Sequence, residues 1–287
     1  MPDDTKPAVI IPAHNEEATI GKLLQAIYPG VLLDQYTVTV ACNACSDRTA
    51  ALVRQFFPLV QCLEIASAGK TNAINQAESH GLGFPRIYVD ADILISDMAL
   101  LQLIALCNAD SEPVVVAPRG ILYTGESDWL VSTYYRTWKK TRFYSEYGYG
   151  AGVYGLNRAA RGAFVQFPDI ISDDGYIRAL FSYERISVCE QARSRVCTPE
   201  NVWDLIKIKT RSKLGKLQLS RQRECHTPNK RGSAAFTGKP TLWELLVYYT
   251  INTLAYVNAL RFRHRVSSYH WHRDESRDRK SACRERV

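Results

Sequence analysis

Through the first half of the chain, short apolar runs alternate with stretches of helical periodicity. Ala8-Val9-Ile10-Ile11-Pro12 is a compact strand-type run. After Asn15-Glu16-Glu17, the residues Ile20, Leu23, Leu24 and Ile27 recur at helical spacing. Thr37 to Cys42 predicts a second strand, and Ser46-Asp47 then caps a helix carrying Leu52, Val53 and Phe56. Val60 to Ile65 predicts a third strand, and Gly69-Lys70 opens a helix through Ala77. Arg86 to Val89 reads as a fourth strand ending at Asp90, and Val114 to Ala117 as a fifth. Successive strand–helix repeats predict an α/β fold, a mainly parallel sheet with helices on both faces. Ligands of such sheets sit beyond the carboxyl ends of the strands. His14-Asn15-Glu16, Asn43 to Asp47, Gly69-Lys70 and Asp90-Ala91-Asp92 all fall at those ends, so one polar rim is expected.

The second half is less regular. Thr133 to Tyr149 is rich in aromatic and basic residues, and Gly148 to Gly152 forms a small-residue turn before Val153-Tyr154-Gly155-Leu156. Asp173-Asp174 begins a helix with Ile177, Leu180 and Phe181, and Lys207 to Leu219 predicts a basic helix. Residues 242–260 are an apolar stretch whose only charge is Glu244, at the lower edge of the length that spans a bilayer. Three placements are open for it: packed on the domain, lying in a membrane interface, or spanning. This divides the chain into a domain at 1–240 and an apolar helix with a basic tail at 241–287.

Composition adds a location for the charge. Hydrophobic residues make up 46% and charged ones 23%, an ordinary globular balance. Of the net charge of +7, most lies between Arg261 and Val287, where nine Lys/Arg face four Asp/Glu. Such a tail is either a solvated end or is drawn to an anionic membrane surface. No basic recognition helix or aromatic RNA-binding motif is present, so nucleic acid is not an expected partner. The start lacks a cationic segment followed by an apolar run, and eight cysteines show no paired framework. The expectation is a cytoplasmic protein with reduced thiols, peripheral on the inner face of the membrane if the tail binds there. Cys42-Asn43-Ala44-Cys45 has no second CxxC or HxxxH to complete four ligands, so incidental or structural thiols are expected.

Two acidic pairs carry candidate chemistry. Asp90 and Asp92 offer hard oxygen ligands for Mg²⁺ or Mn²⁺, which neutralise a diphosphate leaving group; as a helix N-cap and first-turn acid they would instead be structural. Asp173 and Asp174 repel one another, which raises one pKa and lets a general base be tuned; they too suit a helix N-terminus. Lys70, Arg211 and Lys213 can offset phosphate charge or can be solvated cations. Trp129 to Tyr149 is either an acceptor wall, since sugar rings stack on aromatic faces, or a core of Tyr and Trp.

In order and spacing these elements resemble the family 2 glycosyltransferases of GT-A fold, a Rossmann-like type. The matching segments are Val9 to Glu17 (VIIPAHNEE), Val40 to Thr49 (VACNACSDRT) and Gly69 to Asn75 (GKTNAIN), followed by Tyr88 to Asp92 (YVDAD), Gly150 to Tyr154 (GAGVY) and Ser172 to Arg178 (SDDGYIR). The resemblance spans about residues 8–220. It implies inverting, metal-assisted transfer from a UDP- or GDP-linked sugar to a saccharide or lipid-linked hydroxyl, in surface polysaccharide or glycolipid synthesis. It places Ala13, Glu16, Asn43, Asp47, Lys70 and Asp90 at the nucleotide sugar, with Arg211 at the diphosphate. Asp92 becomes the metal ligand and Asp174 the base. Asn43 departs from the usual Asp, and Asp173 from the usual Glu. The Gln-x-x-Arg-Trp motif of processive synthases is absent. Two rivals remain: a catalytically silent nucleotide-sugar-binding module at a membrane, and a sugar-phosphate nucleotidyltransferase, which the acidic His14-Asn15-Glu16-Glu17 loop disfavours.

Overall fold

The computed structural model describes residues 6–147, 152–221 and 235–262. The strands are β1 Ala8–Ala13, β2 Thr37–Asn43, β3 Gln61–Ile65, β4 Arg86–Val89, β5 Leu94–Ile95, β6 Val115–Tyr123, β7 Val153–Leu156 and β8 Ile186–Cys197. Among them run the helices α1 Ile20–Leu32, α2 Thr49–Phe56, α3 Lys70–Glu78, α4 Asp97–Asn108, α5 Trp129–Lys139 and α6 Arg142–Tyr147. The remaining helices are α7 Arg158–Gly162, α8 Asp173–Leu180, α9 Val202–Leu219 and α10 Leu242–Phe262.

All eight strands join one sheet in the order β3-β2-β1-β4-β7-β6-β8-β5. β1 to β4 are mutually parallel, β7 is antiparallel to β4 and β6, and β5 is antiparallel to β8. Six strands therefore share one direction, as the repeats predict. β1 shows why the sheet is covered on both faces, because its side chains alternate. Val9, Ile11 and Ala13 join the core formed with α1, α2 and α4, while Ala8 and Ile10 join the core with α3, α7 and α8. β8 was not expected from the sequence. Its polar alternation is weak, and it exists because it pairs along β6 through a register shift at Pro118/Arg119.

A buried ionic knot fixes α3 against the sheet. Glu78 accepts bonds from Arg161 Nη2 at 2.7 Å and from Tyr88 at 2.6 Å, and Arg86 Nη1 lies 3.0 Å away. Burial pushes the Glu78 pKa up, but the two guanidiniums and the tyrosine more than offset it, so the carboxylate titrates below its usual range.

α5, α9 and α10 share a third core of Val131, Tyr134, Tyr135, Leu205, Ile206, Val247 and Ile251. Tyr134 and Tyr135 are thus core residues, as the second reading of the aromatic segment had it; the part beyond Tyr147 and before Gly152 lies outside the described residues. On α10 the buried face is Glu244, Val247, Ile251, Ala255 and Ala259, at nearly fourfold spacing. Among the described residues no helix is long and apolar enough to cross a membrane, so the spanning placement is not what α10 adopts. The basic tail beyond Phe262 lies outside the described residues. Cys42, Cys45, Cys62, Cys107 and Cys189 are free thiols, whereas Cys197 is disulfide-bonded, a correction to the expectation of reduced thiols throughout.

Candidate active site

The loops after β1 and β2 are laced together at the carboxyl edge of the sheet. Asn15, at φ 54°, and Ala44, at φ 49°, both sit in the left-handed region that non-glycine residues seldom occupy. The Asn15 side-chain oxygen accepts the Ser46 N–H at 2.8 Å, Glu16 N–H donates to Thr49 Oγ1 at 2.8 Å, and Glu17 N–H donates to Asp47 at 3.0 Å. Asp47 also accepts the Thr49 N–H at 3.0 Å, at the first residue of α2. Asn43 is fully buried and bridges two loops, donating to the Ala13 carbonyl at 2.8 Å and accepting Gly69 N–H at 3.1 Å. Its amide therefore acts as a strut. Cys45 accepts Asn15 N–H at 3.4 Å and donates to the Ala13 carbonyl at 3.5 Å, which accounts for this thiol structurally.

A second knot joins the fourth strand to α8. Lys70 Nζ lies 2.5 Å from Asp90 Oδ1 and 2.7 Å from Asp173 Oδ1. Tyr154 OH donates to the other Asp173 oxygen at 2.9 Å. Burial works against the Lys70 charge, but the Asp173 and Asp90 carboxylates more than offset it and hold its pKa above the usual lysine value. Gly69, at φ 146°, gives α3 a start that only glycine adopts without strain, and so delivers Lys70 to this point. Gly152, at φ 66°, accepts the Asp90 N–H on its carbonyl at 2.8 Å. A Cβ at Gly152 would strike Ile93 and come within 3.2 Å of Asp90 Oδ2, so only glycine lets β7 approach here. Asp90 and Asp92 are not helix caps: Ser96 caps α4, accepting Ala99 N–H.

Asp173 and Asp174 do occupy the first turn of α8, with Ser172 as cap. The two acids are driven apart as like-charge pairs are. Burial, then the Asp90 and Asp174 charges, push Asp173 up despite Lys70. Burial also opposes the Asp174 charge, but Arg178 and a 2.6 Å bond from Ser172 Oγ overcome it and keep Asp174 below the usual range. Asp174 is therefore the more acidic member of the pair. α9 braces this turn: Gln218 accepts Ile171 N–H at 2.9 Å, and a Cβ at Gly215 would lie 3.0 Å from Ser172 Cβ.

Sequence reasoning brought Glu16, Asn43, Asp47, Lys70, Asp90 and Asp92 to one rim and left Ala13 and Asp174 to the resemblance. The structure ties Ala13 to Asn43, the Glu16-Glu17 loop to Asp47, and Lys70 to both Asp90 and Asp173, the neighbour of Asp174. Sequence reasoning missed Asn15 and Tyr154 as positioning groups; the signal for Asn15 was only its tolerance of the left-handed region. Arg211 lies on α9, which packs on α8, α5 and α10. Among the described residues no group of three or more His, Cys, Asp or Glu converges to hold an ion. The donor set of Asp90 and Asp92 nevertheless fits a hard divalent cation of the Mg²⁺ type. Such ions take one or two carboxylates and complete their shell with substrate phosphates and water.

Three comparisons with known proteins bear on this site. The family model of glycosyl transferase family 2 matches residues 8–166. A curated protein of Bacillus subtilis (strain 168), named Probable glycosyltransferase YdaM, is 30% identical over 128 residues. That stretch is 40% of this chain and 30% of the relative's length, so the chain spans under a third of that protein. Among solved structures, the mannosyltransferase PcManGT of Pyrobaculum calidifontis, in complex with GDP-Man and Mn²⁺, gives a TM-score of 0.57 at 19% identity, covering 94% of this chain and 78% of that one. S. aureus TarS 1-349 in complex with UDP-GlcNAc gives 0.53 at 15% identity, covering 94% and 93%. Glucosyl-3-phosphoglycerate synthase of Mycobacterium tuberculosis, with Mn²⁺, UDP and phosphoglyceric acid, gives 0.54 at 17%, covering 79% and 80%. The structural likenesses establish the GT-A type of α/β fold. Because the matched segment exceeds half of the chain and contains the β1 and β2 loops, Lys70, Asp90 and Asp92, the chain belongs to glycosyl transferase family 2.

Proposed function

We propose that residues 1–240 form a catalytic domain that transfers a sugar, with inversion, from a UDP- or GDP-linked donor to an acceptor hydroxyl. The observation that supports this reading is the Lys70–Asp90–Asp173 knot, which ties the strand end carrying Asp90 to Asp173, the chain neighbour of Asp174. The solved complexes of similar fold that hold GDP-Man or UDP-GlcNAc support the donor class.

The laced loops carrying Ala13, Glu16 and Asp47 form the base and ribose side, held in shape by Asn43. Asp92, with Asp90 beside it, would hold Mn²⁺ or Mg²⁺. When bound, that ion neutralises charge on the departing diphosphate. Asp174 takes the acceptor hydroxyl proton as the oxygen attacks the anomeric carbon from the face opposite the diphosphate. The bond from that carbon to the diphosphate oxygen breaks, and its electron pair leaves with the nucleotide. Lys70, released from one carboxylate when the donor binds, and Arg211 supply cationic charge to that group. A panel of nucleotide sugars with and without Mn²⁺ tests the donor reading. One UDP- or GDP-sugar should raise the melting temperature only with metal, and Asp92→Asn should remove the metal-dependent part. Product of the same anomeric configuration as the donor, seen by NMR, would refute inversion.

Residues 241–287 form the docking appendage of this enzyme in surface polysaccharide or glycolipid synthesis. Leu242, Leu246, Tyr249, Leu254 and Val257 are exposed on α10, and Trp243 stacks on the exposed Trp129 with centroids 5.6 Å apart. Basic chain follows at once, which suits an anionic cytoplasmic leaflet with the aromatic pair at the headgroup level. The full chain should co-sediment with phosphatidylglycerol vesicles and not with phosphatidylcholine ones. Leu246→Ser with Leu254→Ser should weaken that binding; equal partition of the double variant would refute the α10 contact.

A further inference from the structure

Lys209, Lys213 and Lys216 repeat at i, i+4 and i+7 and form one stripe on α9, about 10 Å long at the helical rise per residue. One end of the stripe reaches the base. Gly215 and Gln218 contact the Ile171–Ser172 turn that holds Asp174, and Lys216 lies within electrostatic reach of Arg178 and Asp174. The other end meets α5, where Lys209 Nζ stands over the rings of Tyr134, Tyr135 and Trp138 at 5.2, 5.3 and 5.4 Å.

Lys209 and Lys213 are half-buried, and among the described residues no carboxylate forms an ion pair with any of the three. Lys207, on the opposite side of the helix, is by contrast exposed and paired with Asp204 at 2.9 Å. Burial, reinforced by Lys216 and Lys213, holds the Lys209 pKa down to about 7. Two partly desolvated lysines, Lys209 and Lys213, continued by the exposed Lys216 and without an ion-paired acid among the described residues, make a row of like charge that is unfavourable until an anion offsets it. The laced nucleotide loops and Lys70 belong to β1, β2 and α3, and Arg211 lies on the side of α9 away from the stripe, so the missing anion meets a different face than the donor.

We propose that Lys209, Lys213 and Lys216 bind an acceptor carrying a phosphate group and hold it so that its hydroxyl reaches Asp174. This rests on Asp174 being the base. The phosphate is either that of a soluble phosphomonoester or that of a lipid-linked acceptor. A flexible ammonium row suits a multiply charged phosphate that has no fixed planar geometry.

The test titrates glycerol 3-phosphate by calorimetry into the full chain saturated with nucleoside diphosphate and Mn²⁺, which occupies the donor side. A second arm measures retention on phosphatidylcholine vesicles with and without phosphatidic acid. The triple variant Lys209→Gln, Lys213→Gln, Lys216→Gln should weaken phosphate binding at least about tenfold in one arm or both, with nucleotide affinity unchanged. Loss confined to the vesicle arm assigns a lipid-linked phosphate, and loss in the soluble arm assigns a phosphomonoester. Lys207→Gln should change neither arm, and Lys213→Arg should retain binding, which separates charge from folding. Should the triple variant lose its fold, Lys213→Gln and Lys216→Gln singly provide the same reading. Unchanged phosphate affinity in the variants overturns the proposal, as does loss of nucleotide and phosphate together, since the stripe would then clamp the donor diphosphate. A chain that binds no nucleotide at all refutes the donor reading, while the phosphate titration still reports on the lysines.

Discussion

Asp174→Asn should lower turnover about 10²–10⁴-fold, the range a positioned general base contributes, while nucleotide affinity changes by less than about threefold. The substitution keeps the shape of the side chain, so Ser172 Oγ retains an acceptor and the first turn of α8 keeps its cap. What is lost is a carboxylate that Arg178 and Ser172 hold ionised against its burial. Initial rates of nucleotide diphosphate release, together with nucleotide titration, separate the two effects. Turnover within about fivefold of the parent would remove Asp174 from the role of base. It would then point to Asp173, whose pKa is pushed the other way by burial and by the Asp90 and Asp174 charges.

Lys70→Met should be the most destabilising single change at the rim. Asp173 is 1% exposed, and Lys70 is the cation within 2.7 Å that compensates it. Removing one partner of a buried pair costs about 3–5 kcal/mol, because the other charge stays buried without its partner. For a chain of this size that is a melting temperature lower by roughly 10 °C. The deficit should depend on pH. Without Lys70 the Asp173 pKa rises further in the folded state, and a raised carboxyl pKa contributes stability at low pH that is lost as pH rises through it. The variant should therefore approach the parent as pH falls toward about 4. Adding Asp173→Asn to Lys70→Met should recover much of the loss, since the double change leaves only the partly exposed Asp90 without its cation and no fully buried unpaired charge. Thermal melts of the three variants between acid and neutral pH read all of this. A melting temperature within about 2 °C of the parent at neutral pH would show that Lys70 carries no structural load.

The α/β class, the succession of the first four strands and their helices along the chain, and the polar rim were legible because local rules dictate them. Ala8 to Ala13 can hardly be anything but a strand buried on both faces, and Gly69-Lys70 opens a helix by its own chemistry. β8 was not legible, because a polar twelve-residue segment becomes a strand only when β6 is available to pair with it. The placement of residues 242–260 was likewise open, since an apolar stretch of that length satisfies a core and an interface alike. α5 and α9 decided it, by covering Val247, Ile251, Ala255 and Ala259 and leaving Leu246 and Leu254 outward.

At the site the division runs the same way. The Asp90-Ala91-Asp92 turn and the Asp173-Asp174 pair were visible as candidate ligands and candidate bases, because spacing along one strand end or one helix start is a local property. How the two acids differ depends on neighbours both distant and local: Lys70, from another helix, and Tyr154, from β7, meet Asp173, whereas Arg178 and Ser172 of the same helix and its cap hold Asp174 down. Asn43 illustrates the limit. The sequence places it at a nucleotide position, but its amide spans Ala13 and Gly69 because the loops after three strands meet there. The order of the chain therefore determined which chemical groups reach the rim. Only the tertiary structure decided which charge meets which, because a pKa and a hydrogen bond are set by what lies within a few ångströms, whatever the separation in sequence.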